Sequence, residues 1–122
     1  MILGFNHLQI AAPENSEDAA RKFYGELLGL PEIPKPPELA RRGGVWFECG
    51  DQQLHIGVEK DFSPAKKVHP AFTVIALDEL RKRLEAAGHL TQSDTNLPGF
   101  RRFYAFDPFG NRLEFLEPLE SM

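Results

Sequence analysis

The sequence has one cysteine, no long hydrophobic run and no excess of basic residues in its 122 positions. With Cys49 alone, an internal disulfide is excluded, and we expect a protein of a reducing compartment. The 14 Lys and Arg residues against 18 Asp and Glu give a formal net charge of −4, which disfavours nucleic acid or an anionic membrane as the partner. The run from Ala71 to Leu77 is too short to span a bilayer, and the N-terminus lacks the pattern of a signal peptide. We therefore expect a cytoplasmic protein.

What the sequence does contain is a repeated plan. Residues 5–30 and residues 68–90 each predict a strand, a turn and a helix that ends at a glycine, Gly29 or Gly88. Asn15 or Ser16 is the predicted cap of the first helix, and Asp78 is that of the second. The apolar stripe predicted for the first helix comprises Ala19, Phe23, Leu27 and Leu28.

The remainder of each segment predicts strands and turns. The proline-rich residues 31–37 predict a loop, because proline is excluded from central strands and helix interiors. Strands are predicted at Val45 to Cys49, Gln53 to Val58, Arg102 to Phe106 and Arg112 to Leu116, with turns at 50–51 and 107–111. These elements predict an α+β fold of two tandem strand–helix–strand–strand–strand modules, about 1–62 and 63–118, in a single domain of residues 1–122. We expect their curved mixed sheets to enclose a cleft.

Strand alternation places three histidines and one glutamate on equivalent faces. In the predicted strands, His7, His55, His69 and Glu114 point away from the helices, and they match in pairs between the two modules. A single histidine in a strand is more often hydrogen-bonded or solvated than a ligand, but the pairing favours a shared metal site. Imidazoles with a carboxylate suit a divalent transition metal, here Fe, Mn, Ni, Co or Zn, and leave positions open for substrate.

The sequence resembles the vicinal oxygen chelate superfamily, which includes glyoxalase I, fosfomycin-resistance thiol transferases, methylmalonyl-CoA epimerase, extradiol dioxygenases and bleomycin-resistance proteins. The resemblance covers nearly the whole chain. Its most specific parts are Phe5-Asn6-His7-Leu8, then Phe23-Tyr24 with Leu27-Leu28-Gly29-Leu30, and the run from Asp107 to Phe115 that reads DPFGNRLEF.

The resemblance implies roles for individual residues. His7, His69 and Glu114 match the metal-ligand positions of the fosfomycin-resistance enzymes. His55 falls where glyoxalase I has a glutamate and the epimerase a glutamine, so it joins the predicted metal ligands and, with Glu114, the predicted catalytic residues. The predicted substrate-binding residues are Gln9, Trp46 and Tyr104, which match substrate-contacting positions, and Arg102, which shares a predicted face with Tyr104.

Two functions remain open at this point. The first is a metal-dependent enzyme that acts on a small molecule with neighbouring oxygens, by a lyase, isomerase, transferase or ring-cleaving dioxygenase reaction. The second is a metal-free protein that sequesters a drug or other small ligand, as bleomycin-resistance proteins do. The set of His7, His69 and Glu114 favours the enzyme, because a sequestering protein needs no metal ligands. By the same resemblance we expect a homodimer, with the metal cleft formed within one chain or across two.

Overall fold

The computed structural model describes residues 1–119, in two compact units: one spans Met1–Pro64 and the other begins at Ala65. The elements of the first unit are β1 (His7–Ala12), α1 (Glu17–Ala20) continuing as a π-helix (Arg21–Leu27), β2 (Glu32–Ile33), α2 (Pro37–Ala40), β3 (Val45–Cys49) and β4 (Gln52–Val58). Those of the second are β5 (Ala71–Thr73), α3 (Leu77–Ala86), β6 (Thr91–Ser93), β7 (Phe100–Phe106) and β8 (Arg112–Pro118). Within residues 1–119, none of the helices is long and apolar enough to cross a membrane.

Each unit contains one four-stranded mixed sheet, and the two sheets have the same topology. The strand orders are β1-β4-β3-β2 and β5-β8-β7-β6, with the first pair parallel and the others antiparallel. The registers also correspond, because His55 lies between Gln9 and Trp46 while Glu114 lies between Ala71 and Tyr104. The predicted α+β class with two tandem modules is confirmed. The single domain, the module limits and the metal cleft stay predictions.

In each unit, the sheet face that packs against the helices forms the core. Alternate residues of the strands are buried against the helices, as period-two alternation requires. In the first unit the buried set comprises Ile10, Ala12, Val45, Phe47, Leu54 and Ile56 with Phe23 and Tyr24; in the second it comprises Leu77, Leu84, Phe103, Ala105, Leu113 and Phe115. Full burial of one such large apolar side chain contributes about 1.5–3 kcal/mol, which fixes the register and therefore the residues on the other face.

The first helix differs from the prediction. It buries Ala20, Phe23 and Tyr24, whereas Ala19 is exposed. The reason is the π-helical hydrogen bonding, in which the N–H of Leu28 donates to the carbonyl of Phe23 at 2.9 Å. A bond that reaches five residues back widens the turn, so two consecutive aromatic residues pack against the sheet.

The predicted caps also differ. Ser16 does precede α1, but its hydroxyl donates to the carbonyl of Pro13 at 2.6 Å instead of accepting a helix N–H. Asp78 lies inside the first turn of α3. Ala76, the residue directly before this helix, has a positive φ of 57°. The N–H groups of Ala76 and Leu77 are satisfied by the carboxylate of Glu117, at 3.0 and 3.4 Å. A side chain from β8 thus performs the capping that the sequence assigned to Asp78.

Two further segments correct the prediction. The loop predicted at 31–37 contains the edge strand β2, and Pro37 opens α2; prolines tolerate both an edge strand and the first turn of a helix. His69 was placed in a strand, but it lies two residues before β5. Pro70 has no N–H to pair, although its carbonyl accepts the N–H of Glu114 at 3.0 Å and so keeps His69 next to β8.

Candidate functional site

In the first unit, β1, β4 and β3 bring two histidines and a tryptophan together. The rings of His7 and His55 are stacked, with centroids 4.2 Å apart and planes 18° apart. Trp46 covers the other face of His55 at 3.8 Å, nearly parallel at 2°. His55 is therefore only 5% exposed, whereas His7 is exposed.

Burial lowers the pKa of His55, and the nearby charges of His7 and Lys35 lower it further. The imidazole is thus held neutral at physiological pH, which is the form that binds a metal. Its Nε2 lies 2.9 Å from Oε1 of Gln53, and Nδ1 of His7 lies 2.9 Å from Oδ1 of Asn6. Because amide oxygens only accept hydrogen bonds, these nitrogens donate, and the neutral His55 ring keeps its lone pair on Nδ1.

In the second unit, the segment before β5 meets β8 through one short contact. Nε2 of His69 lies 2.9 Å from Oε1 of Glu114, and its Nδ1 lies 2.9 Å from the carbonyl oxygen of Lys67. Both partners are hydrogen-bond acceptors, and they hold the His69 ring at its two edges. His69 and Glu114 therefore lie side by side as a potential pair of metal ligands.

Glu114 is 6% exposed, and its two carboxylate oxygens contact His69 and Arg102. Burial raises the pKa of its carboxyl, but the hydrogen bonds from His69 and Arg102 outweigh this and hold the pKa below its usual range. Nη1 of Arg102 lies 3.1 Å from Oε2 of Glu114, and Nη2 lies 3.3 Å from the carboxylate of Asp94. Glu114 is consequently an ionised carboxylate in a largely buried position.

Tyr104 lies opposite Glu114 in the sheet and is surrounded by cationic groups. The guanidinium carbons of Arg112 and Arg102 lie 4.0 and 5.4 Å from its ring centroid, and the ring of His69 meets it edge-on at 5.6 Å. Such cation–π contacts hold the guanidinium groups over the ring face. They position the Arg102 side chain next to Glu114.

The predicted site residues thus fall into two groups, one in each unit. Gln9, Trp46 and the pair His7–His55 belong to the first, and Tyr104, Arg102 and the pair His69–Glu114 to the second. Sequence reasoning missed the residues that hold these groups in place: Asn6, Gln53, Asp94 and Arg112. Gln53 carried a signal, because it lies two residues before His55 on the same strand and therefore on the same face. Asp94 follows β6, a strand that the sequence analysis did not place, and carried none.

The donors fit a divalent metal by type. One unit presents two imidazoles, and the other presents an imidazole with an ionised carboxylate; these ligands suit transition metals. Within residues 1–119, no three His, Cys, Asp or Glu side chains lie close enough to hold a metal together. The four-residue metal site therefore stays a prediction, as do the catalytic and substrate-binding assignments.

Residues 4–115 match the model of the Glyoxalase/Bleomycin resistance protein/Dioxygenase superfamily. The chain belongs to this superfamily. A glyoxalase family protein from Bacillus anthracis is 52% identical, with a TM-score of 0.93 and 98% of each chain covered. The expected resemblance to the vicinal oxygen chelate superfamily is confirmed.

More distant solved structures share the fold. The lactoylglutathione lyase of Agrobacterium tumefaciens is 23% identical, with a TM-score of 0.75 over 95% of this chain and 94% of that chain. The fosfomycin resistance protein FosX of Listeria monocytogenes is 19% identical, with a TM-score of 0.76 over 98% of this chain and 96% of that chain. At these identities the likeness shows the fold alone. Among curated proteins, none matches the sequence significantly.

Proposed function

We propose that the protein is a metal-dependent enzyme that acts on a small molecule with vicinal oxygens. One observation carries this proposal: the two units place potential ligands at the same topological positions. His55 lies opposite Gln9 in the first sheet, and Glu114 lies opposite Ala71 in the second. His7 lies two residues before Gln9, as His69 lies two residues before Ala71. Packing alone does not require imidazoles and a carboxylate at matching positions of two sheets.

His7, His55, His69 and Glu114 would together hold the divalent ion, which we expect to be Fe, Mn, Ni, Co or Zn. When bound, such an ion supplies Lewis-acid stabilisation of negative charge that develops on a substrate oxygen. Imidazole and carboxylate donors are common to all five metals. The chain therefore limits the choice to this group.

The other site residues would bind and orient the substrate. Trp46 offers a flat apolar wall, while the amide of Gln9 and the hydroxyl of Tyr104 offer hydrogen bonds. Arg102 would contact the substrate from its position against Glu114. Glu114 and His55 are the candidate proton acceptors, because one is ionised and the other neutral at physiological pH.

The test is a comparison of metal-loaded and chelator-treated protein on a panel of small molecules: thiol adducts of ketoaldehydes, epoxides with a neighbouring oxygen, and catechols. We expect turnover of at least one class, present only with metal and lost in Glu114→Gln. The panel separates lyase and isomerase chemistry from epoxide opening and ring cleavage. Ligand-induced thermal stabilisation without metal or turnover would overturn the proposal in favour of a ligand-sequestering protein.

A further inference from the structure

A cavity in the first unit has a chemistry that the metal ligands do not use. It is an open pocket of about 170 Å³, and two basic side chains, the half-buried Lys35 and the exposed Arg42, line it together with Trp46 and Gln9. The remaining wall is Leu39, Gly43 and the β4 segment 56–58. At about 30 Å³ per water molecule, this volume holds a small oxyanion with a few attached atoms.

The two cations of this cavity keep most of their hydrogen-bond donors available. Within residues 1–119, neither Lys35 nor Arg42 forms an ion pair with a carboxylate. Lys35 donates one hydrogen bond to the carbonyl of Gly43. An ammonium has three donors and a guanidinium five, so most of their capacity stays available. The carboxylate of Glu17 lies close to this wall, because its Oε2 would be 2.9 Å from a Cβ at Gly43. It is bonded to the N–H of Gly44 at 2.8 Å, and this bond, with a smaller contribution from the charge of Lys35, lowers the pKa of Glu17.

A cavity in the second unit provides the contrast. It is of similar size, about 190 Å³, and three arginines line it. Each of these arginines has a carboxylate partner: Arg81 pairs with Glu85, Arg101 with Asp78, and Arg102 with Glu114 and Asp94. Their positive charges are compensated within the unit. Lys35 and Arg42 differ from these three arginines because neither forms an ion pair within residues 1–119.

The first cavity adjoins the candidate site through two shared residues. Trp46 lines it and stacks on His55 at 3.8 Å. Gln9 lines it and lies opposite His55 in the sheet. The Gln9 amide packs over Gly57, where a Cβ would lie only 2.8 Å from it. A molecule bound in this cavity would therefore contact Trp46 and Gln9, the two lining residues that also adjoin His55.

We propose that this cavity binds an anionic group, a carboxylate or phosphate-type oxyanion, between Lys35 and Arg42. Oxyanions fit this pair because ammonium and guanidinium groups form charge-assisted hydrogen bonds with them. The further step, that the substrate itself carries this group, rests on the function proposed above. The anion site stands on the cavity alone.

The experiment uses Trp46, the only tryptophan, as the reporter. Chelator-treated protein is titrated with inorganic phosphate, and separately with acetate, at constant ionic strength. We expect a saturable change in tryptophan fluorescence with at least one of the two anions. Lys35→Gln and Arg42→Gln should each weaken the binding by about tenfold or more. Arg41→Gln removes the same charge one residue outside the cavity lining and should leave the affinity unchanged.

Three results would overturn the proposal: no saturable response to either anion, binding that survives both cavity substitutions, or equal weakening by Arg41→Gln. Circular dichroism checks that each variant is folded. Should Lys35→Gln fail that check, Arg42→Gln decides the matter, since no hydrogen bond of its side chain is lost within residues 1–119.

Metal content, measured separately, distinguishes this proposal from the proposed function. Both cavity variants should retain the wild-type metal content, because neither changes a proposed ligand. Anion binding by a protein that takes up no metal would overturn the enzyme and leave the anion site intact. Metal uptake without an anion response would overturn the anion site alone.

Discussion

At the scale of single residues, the environment of a side chain is set by the contacts that enclose it on several sides. His55 is the clearest case, because His7 and Trp46 stack on its two faces and Gln53 binds its edge. Such enclosure removes the imidazole from water and lowers its pKa. The strand pattern predicted the face on which His55 lies, but the enclosure depends on neighbours that only the sheet register brings together.

Gly44 provides a test at this scale. It has a φ of +90°, and a Cβ would lie 2.2 Å from the carbonyl oxygen of Ile56. We expect Gly44→Ala to lower the free energy of unfolding by about 3 kcal/mol or more, through backbone strain and a clash with a rigid backbone atom. Chemical denaturation monitored by circular dichroism measures this loss.

Gly99→Ala is the matched control, since Gly99 has a φ of +88° with nothing within 4 Å of a Cβ. It should show the conformational strain alone, about 1–2 kcal/mol. Equal losses in the two variants would show that the close approach to Ile56 does not affect stability.

At the scale of elements, alternation and turn residues predicted most strands, since the buried face of each strand is encoded by its own sequence. The exceptions came from backbone features and contacts that residue alternation does not encode. The π-helix moved the buried face to Phe23 and Tyr24, Glu117 of β8 capped α3, and Pro70 kept His69 out of β5. The same holds for the site, where the residue types and faces were predictable but the contacts of Arg102 with Asp94 and Glu114 were not.

Glu17 links α1 to the turn before β3, and this contact should make the stability of the fold depend on pH. The N–H of Gly44 donates to its carboxylate and holds the pKa of Glu17 below its ordinary value. A lowered pKa in the folded state gives stability that is present above the unfolded pKa and is lost as the pH falls through the folded pKa. Between about pH 5 and pH 3, the unfolding free energy of Glu17→Gln should therefore fall less steeply than that of the wild type.

Glu14→Gln controls for a general change of charge, because the Glu14 side chain makes no hydrogen bond within residues 1–119. Denaturation midpoints measured across this pH range should give parallel curves for the wild type and Glu14→Gln. If Glu17→Gln also runs parallel to the wild type, the contact with Gly44 does not stabilise the folded chain.

At the scale of the whole molecule, we predict a homodimer. Phe5 and Leu8 are 82% and 44% exposed, and Leu8 lies on β1 at the edge of its sheet. Exposed apolar side chains at a sheet edge favour association with a second chain. Light scattering should give a mass about twice the 13.8 kDa of one chain, and the double variant Phe5→Asp with Leu8→Asp should shift this toward the monomer.

Leu90→Asp is the control for this prediction, since Leu90 is about as exposed as Phe5, at 85%, but lies outside β1. It should leave the dimer intact. A wild-type protein that remains monomeric at micromolar concentration would contradict the prediction, and dissociation by Leu90→Asp alone would place the contact elsewhere.

The proposed metal centre is tested most directly by the metal content of protein that is purified without chelators and reloaded in turn with Mn, Fe, Co, Ni and Zn. We predict about one ion per chain for at least one metal in the wild type and in His89→Ala, because His89 lies outside both ligand pairs. His69→Ala should bind less than a tenth of that amount, since it removes the proposed metal ligand that lies next to Glu114. Unchanged metal content in His69→Ala, or no metal retained by the wild type, would contradict the proposed centre.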